Sequence, residues 1–437
     1  MTQTTPSTNS PSTTTPHTAG DTSIFEARES SVRSYCRQWP VVFTTARGAE
    51  QHTETGETYL DFFAGAGALN YGHNDPALKG ALMEHLSQDV VIHSMDMHTP
   101  AKRRFLEALT RTVLEPRGMD HKVLFPGPTG TNTVEAALKA VRKATGRTEV
   151  VSFTNGFHGM TLGSLSVTAN KMKRAGAGVP LTDVTQVAYD GHEGAASADL
   201  ADLEALDAAW AQAGDDLPAG AIVELVQGEG GLNAASMEWV QQLAEVCAKH
   251  DVKLIVDDVQ AGCGRTGTFF SFEPAGITPD VVCLSKSLSG LGLPLAVTLV
   301  RPELDQWEPG EHNGTFRGFT PAFVTAAAAL ETYWADDAFA AGVRATAERL
   351  HAGLAELAGK ASGEAEVRGR GLMCGIAFAD TEAAEKIAAA AFERGLMVET
   401  SGPASEVVKL LPPLNVTEEQ VDRALAVLAE SVAAVGA

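Results

Sequence analysis

Lys286 closes the run Val281-Val-Cys-Leu-Ser-Lys286-Ser-Leu-Ser-Gly290, and fewer than thirty positions upstream the apolar run Leu254-Ile-Val ends on Asp257-Asp258. A lysine at one strand end and a carboxylate at another are the two groups that pyridoxal phosphate (PLP) requires. The amine holds its aldehyde covalently, and the carboxylate keeps its pyridine nitrogen protonated and electron-withdrawing. Either residue alone would be an ordinary polar strand terminus. Together they point to an enzyme of PLP chemistry, with Lys286 and Asp257 as the catalytic pair.

A second feature seats an anion. Gly127-Pro-Thr-Gly130-Thr131-Asn132 precedes a helical stretch with apolar positions Val134, Ala137, Leu138 and Val141. Free backbone N–H groups at such a helix start bind a dianion. The order Leu254-Ile-Val-Asp257-Asp258-Val-Gln260-Ala-Gly262-Cys-Gly-Arg265-Thr-Gly267, then Pro279-Asp280, then the lysine strand, resembles the class III aminotransferases of PLP fold type I. The resemblance implies that Gly130 and Thr131 hold the cofactor phosphate, that Phe157 of Phe157-His158-Gly159 stacks on its ring with His158 beside it, and that Gln260 lies near its phenolic oxygen. It also implies that Thr315, in His312-Asn-Gly-Thr315-Phe316-Arg-Gly318, crosses a dimer interface to the partner's phosphate.

Glu229 and Lys409 match a pair in which a glutamate masks a cation and swings aside for an α-carboxylate. Arginine is usual where Lys409 stands, and several glutamate-using relatives carry arginine in place of Met160. Arginine grips a carboxylate bidentately, whereas lysine is a point charge. Phe62-Phe-Ala-Gly-Ala-Gly-Ala-Leu-Asn70-Tyr-Gly-His73 and Ser94-Met-Asp-Met-His98 resemble the branch acting on diaminobutyrate in ectoine biosynthesis. That branch implies amino transfer from L-glutamate to L-aspartate 4-semialdehyde, giving L-2,4-diaminobutyrate and 2-oxoglutarate. The alternatives are a class III ω-aminotransferase acting on acetylornithine, ornithine or 4-aminobutyrate, a PLP racemase or mutase, and a catalytically silent PLP-binding regulator. No helix-turn-helix or basic segment supports the last.

The elements that must position these residues follow from the hydrophobic pattern. Val150-Val-Ser-Phe153, Ala221-Ile-Val-Glu-Leu225, Leu254-Ile-Val256, Val281-Val-Cys-Leu284 and Leu295-Ala-Val-Thr-Leu-Val300 read as buried strands. Leu200–Ala213 and Met237–His250 read as helices between them. This predicts an α/β fold with a mostly parallel sheet covered by helices. Past residue 330 an Ala-rich helix leads to Arg368–Phe378 as strand, Ala383–Arg394 as helix and Leu396–Glu399 as strand, a smaller C-terminal α/β domain. The expected organisation is a disordered Ser/Thr/Pro-rich tail (1–20), an N-terminal segment packing with the small domain (21–75), a large PLP-binding domain (76–330) and the small domain (331–437).

Composition agrees with an enzyme of small molecules. The 437 residues carry a net charge of −22, from 55 acidic against 33 basic residues, which repels nucleic acid and anionic membranes. Five cysteines, at 36, 247, 263, 283 and 374, have no metal-ligand spacing, and an odd number argues against a disulfide framework. No apolar run approaches twenty residues and no signal peptide is legible. The expected setting is the cytoplasm, as a homodimer or higher homo-oligomer without bound metal.

Overall fold

The computed structural model describes residues 20–192 and 201–437. The expected tail, up to residue 19, and Leu200, the expected start of one helix, lie outside them. Near the start run β1 (Phe43–Arg47), β2 (Glu50–Thr53) and β3 (Thr58–Asp61). The central part supplies β4 (Lys122–Leu124), β5 (Val150–Phe153), β6 (Val184–Val187), β7 (Gly220–Val223), β8 (Lys253–Asp257), β9 (Val281–Leu284) and β10 (Val297–Val300). The C-terminal part supplies β11 (Ala365–Arg370), β12 (Met373–Phe378), β13 (Leu396–Met397), β14 (Glu399–Ser401) and β15 (Val407–Leu410).

One sheet takes the order β4-β10-β9-β8-β7-β5-β6. From β9 to β6 every pairing is parallel, and β10 runs antiparallel to both neighbours. Every residue of β5, β7, β9 and β10 is buried. Successive side chains serve opposite faces. Ile255, Val281 and Cys283 pack against the helix Gly130–Thr145, while Leu254, Val256, Val282 and Leu284 join the core that contains the helix Met237–Lys249. A strand buried on both faces reads as a continuous apolar run, which is why these strands were legible.

The C-terminal region departs from expectation at two points. Arg368–Phe378 is a hairpin of β11 and β12, not one strand, with Arg370 paired to Met373. The reversal falls at Gly371, whose φ of 63° is left-handed and where a Cβ would stand 2.6 Å from the Arg265 carbonyl oxygen. Leu396–Glu399 is likewise two strands: β13 pairs in parallel with β3, and β14 pairs with β15 in the sheet β11-β12-β15-β14. The chain changes sheets at Val398, a step that continuous hydrophobicity does not signal. Ala49, Leu60 and Phe62 share one core with the helices Ala338–Ala358, Thr381–Glu393 and Glu418–Val435. Among the described residues no helix is long and apolar enough to cross a membrane.

Candidate active site

The carboxyl ends of the parallel strands converge on a cavity of about 200 Å³, lined by Gly130, Thr131, Phe157, His158, Glu229, Asp257, Gln260 and Lys286 among others. Crevices outside the carboxyl ends of α/β sheets are where such folds bind ligands. Lys286 follows β9 with φ 45°, a strained value for a residue with a Cβ. The turn is pinned from its neighbour: Ser287 Oγ donates to the Gly67 carbonyl at 2.5 Å. Burial pushes the Lys286 amine down to about 8, and the Lys409 charge adds to the effect.

Asp257 ends β8 and is buried. Its Oδ2 lies 2.7 Å from His158 Nδ1, and its Oδ1 accepts from the Val259 amide at 3.1 Å. Burial works against a charged His158, but the Asp257 hydrogen bond and charge outweigh it and raise the imidazole pKa. His158 is therefore a partner of Asp257 as well as a neighbour of Phe157 in the cavity lining. Beyond β7, Glu224 accepts from the amides of Phe157 (2.8 Å) and Gly228 (3.1 Å). Burial pushes it up to about 7, with His158 pulling the other way and Asp257 adding to the rise.

The helix Gly130–Thr145 begins at the cavity wall. Its Val134, Ala137, Leu138 and Val141 are buried against the sheet, so its first turn, whose N–H groups have no intrahelical acceptors, is held in place. A Cβ at Gly130 would come within 2.9 Å of Val259 Cγ1, so only glycine lets the helix start approach the strand that carries Asp257. Gln260 donates to the Ala66 carbonyl at 3.0 Å, while its Oε1 is buried with no protein partner.

Lys409, on β15, is fully buried and holds two carboxylates. Its Nζ lies 3.2 Å from Glu229 Oε1 and 3.0 Å from Glu399 Oε1. The β14–β15 register sets Glu399 directly opposite Lys409, and Tyr35 OH donates to Glu399 Oε2 at 3.3 Å. Burial would lower the Lys409 pKa, but the two carboxylates raise it to about 12. Lys409 in turn holds Glu229 down to about 2. Glu229 lines the cavity and Lys409 does not, so the lysine sits behind its carboxylate. On its other side Glu229 Oε2 faces Lys173 Nζ at 3.8 Å.

Thr315 is not brought to the cavity. It is exposed on the turn Thr315–Gly318, next to Gly314, whose Cβ position is 3.0 Å from the Pro126 carbonyl. The neighbouring Phe316 is 62% exposed.

The family model of aminotransferase class III matches residues 32–432. The chain belongs to the class III aminotransferases. It is 59% identical to the diaminobutyrate–2-oxoglutarate transaminase of Nocardia farcinica over 94% of each chain. Against enzymes of the same name it is 54% identical for Halalkalibacterium halodurans (95% of this chain, 97% of the relative) and 50% for Vibrio parahaemolyticus (95% and 98%). Among solved structures it resembles the ornithine aminotransferase of Toxoplasma gondii, with TM-score 0.81 and 24% identity over 94% of this chain and 93% of that one. The ornithine δ-aminotransferase of Plasmodium falciparum gives TM-score 0.75 and 26% identity over 91% and 94%. The fold is that of PLP fold type I: an α/β large sheet and a smaller antiparallel sheet.

The residues present fit the cofactor that this fold implies. A cavity-facing amine, a buried carboxylate, an aromatic side chain, a helix start at Gly130 and Thr131 and the orphaned Gln260 Oε1 are the groups it needs. Sequence reading missed Glu224, Glu399, Lys173 and the Ser287–Gly67 clamp. Glu224 carried a signal of its own, an acid inside the apolar run Ala221-Ile-Val-Glu224-Leu-Val226. Glu399 and Lys173 carried none, because their meaning lies in cross-strand register and loop packing.

Proposed function

We propose that this aminotransferase moves the amino group of L-glutamate to L-aspartate 4-semialdehyde, giving 2-oxoglutarate and L-2,4-diaminobutyrate, with pyridoxal phosphate as cofactor. The observation that carries the reading is 50–59% identity, across 94–95% of the chain, to enzymes named for that reaction. Gly130 and Thr131 would hold the cofactor phosphate, Asp257 its ring nitrogen, Phe157 a ring face, Gln260 its phenolic oxygen and Lys286 its aldehyde. When bound, pyridoxal phosphate supplies an electron sink for the charge left at the carbon that loses its proton.

The chain's own residues do the rest. Lys286 Nζ, its basicity lowered by burial, takes the proton from the carbon bearing the amino group of the donor and, in the opposite half-reaction, delivers one to the carbon of the acceptor that gains the amino group, a task suited to an amine poised near the working pH. His158 keeps Asp257 oriented. Glu229 covers Lys409 when the donor is diaminobutyrate, whose reacting carbon has no carboxylate, and uncovers it for the α-carboxylate of glutamate.

A homodimer belongs to the same proposal. Thr315 would act on the partner's phosphate. The exposed Val91, Ile92, Met95, Met97 and Phe316, joined by the bridge between His93 and Phe319, supply an apolar surface beside it. The test is a half-reaction screen in which the aminated enzyme is offered aspartate 4-semialdehyde, N-acetylglutamate 5-semialdehyde, glutamate 5-semialdehyde and succinate semialdehyde one at a time. Preference for the first supports the proposal; preference for another replaces it with the corresponding ω-aminotransferase.

A further inference from the structure

Glu229 is shared between two cations. Besides Lys409 at 3.2 Å, its other oxygen faces Lys173 Nζ at 3.8 Å. The same Nζ stands 4.3 Å from the centroid of the Phe157 ring, and Phe157 and Glu229 both line the cavity. Lys173 is thus a second ammonium at the cavity rim, with 26% of its side chain exposed. Its separation from Glu229 exceeds a hydrogen bond, so its donors are open to another acceptor. Lys409 differs on each count, being sealed behind Glu229 and held by Glu399 as well.

The substrates of the proposed reaction give these two cations different work, and the inference rests on that reading. Glutamate reacts at Cα and carries its γ-carboxylate three bonds away. Diaminobutyrate reacts at Cγ and carries its α-carboxylate three bonds away. The remote carboxylate therefore falls in the same place for both, while only glutamate has a second carboxylate on the reacting carbon. One cation must stay open throughout and another must be covered or uncovered. Lys286 is committed to the cofactor, and Met160, which follows cavity residue Gly159, brings no charge.

We propose that Lys173 binds the remote carboxylate of both substrates, leaving the Glu229-covered Lys409 for the α-carboxylate of glutamate alone. The test compares wild-type holoenzyme with Lys173→Met, which keeps the stem against Phe157, and with Lys173→Arg. Calorimetry reads the affinity for glutarate, a dicarboxylate without a reacting group, and for glutaramide, its uncharged diamide. Lys173→Met should weaken glutarate by about tenfold or more, equal to about 1.4 kcal/mol, and leave glutaramide unchanged, and Lys173→Arg should restore most of the loss. In single turnovers, half-saturation should rise for glutamate and diaminobutyrate but not for 2-aminobutyrate and 1,3-diaminopropane, which lack the remote carboxylate. Unchanged glutarate affinity, or a loss shared equally with glutaramide, overturns the proposal. If wild type fails to use diaminobutyrate, the proposed reaction falls instead, and the glutarate titration still judges Lys173.

Discussion

Asp257→Asn removes a charge while keeping the shape of the side chain. The carboxylate is buried, with Oδ2 2.7 Å from His158 Nδ1. Taking one partner from a buried charge pair costs about 3–5 kcal/mol, and at about 1.4 kcal/mol per decade the single-turnover rate should drop by about two to four decades. His158 supplies an independent reading. Its pKa is raised because the Asp257 hydrogen bond and charge overcome burial. With the carboxylate gone, burial remains, and the ring should titrate below the ordinary imidazole value of about 6.5. The sign for stability follows from the raised folded value. The His158 contribution is fully present below about pH 6.5 and is lost as pH rises through the folded pKa; in the variant, with the folded pKa lowered, the His158 dependence should reverse, stability falling as pH drops below about 6.5. Glu224, raised to about 7, has the wild-type sign and stays in both proteins. Rapid-mixing kinetics, NMR titration of the ring and denaturation across pH are the assays. Activity within about threefold of wild type together with an unmoved His158 titration would refute the reasoning and shift attention to Asp258.

Lys286→Ala should abolish covalent cofactor retention, and borohydride reduction of the wild type followed by peptide mapping should find the pyridoxyl label on Lys286; a label elsewhere removes the basis of the site. Glu229→Ala should leave the glutamate half-reaction intact or faster, because Lys409 keeps Glu399 at 3.0 Å as counter-ion, while slowing the diaminobutyrate half by more than about tenfold, or about 1.4 kcal/mol. Equal slowing of both halves would make Glu229 a structural partner only. Mixing Lys286→Ala subunits with subunits weakened only at Thr315 should give hybrids with one intact site and more activity than either parent; demonstrated hybrids without that gain would end the shared-site reading.

The sequence by itself determined the sheet and the chemistry at its edge. Strands buried on both faces must be apolar throughout, so β5, β7, β8 and β9 were legible, and the pairing of Asp257 with Lys286 at the ends of two such runs, either of them unremarkable alone, carried the chemical signal. The helix at Gly130 was legible from its apolar spacing and its small-residue start. What only the tertiary structure decided are relations across long separations in the chain. The Asp257–His158 bond joins residues 99 positions apart, the Lys409–Glu229 pair spans 180, and the Tyr35–Glu399 bond spans 364. Local periodicity carries no information about such pairs, and it also hid the turn at Gly371 and the change of sheet at Val398. Lys409 reads as one polar residue in an apolar strand; the β14–β15 register and the packing of Glu229 over it make it a buried cation with two carboxylates.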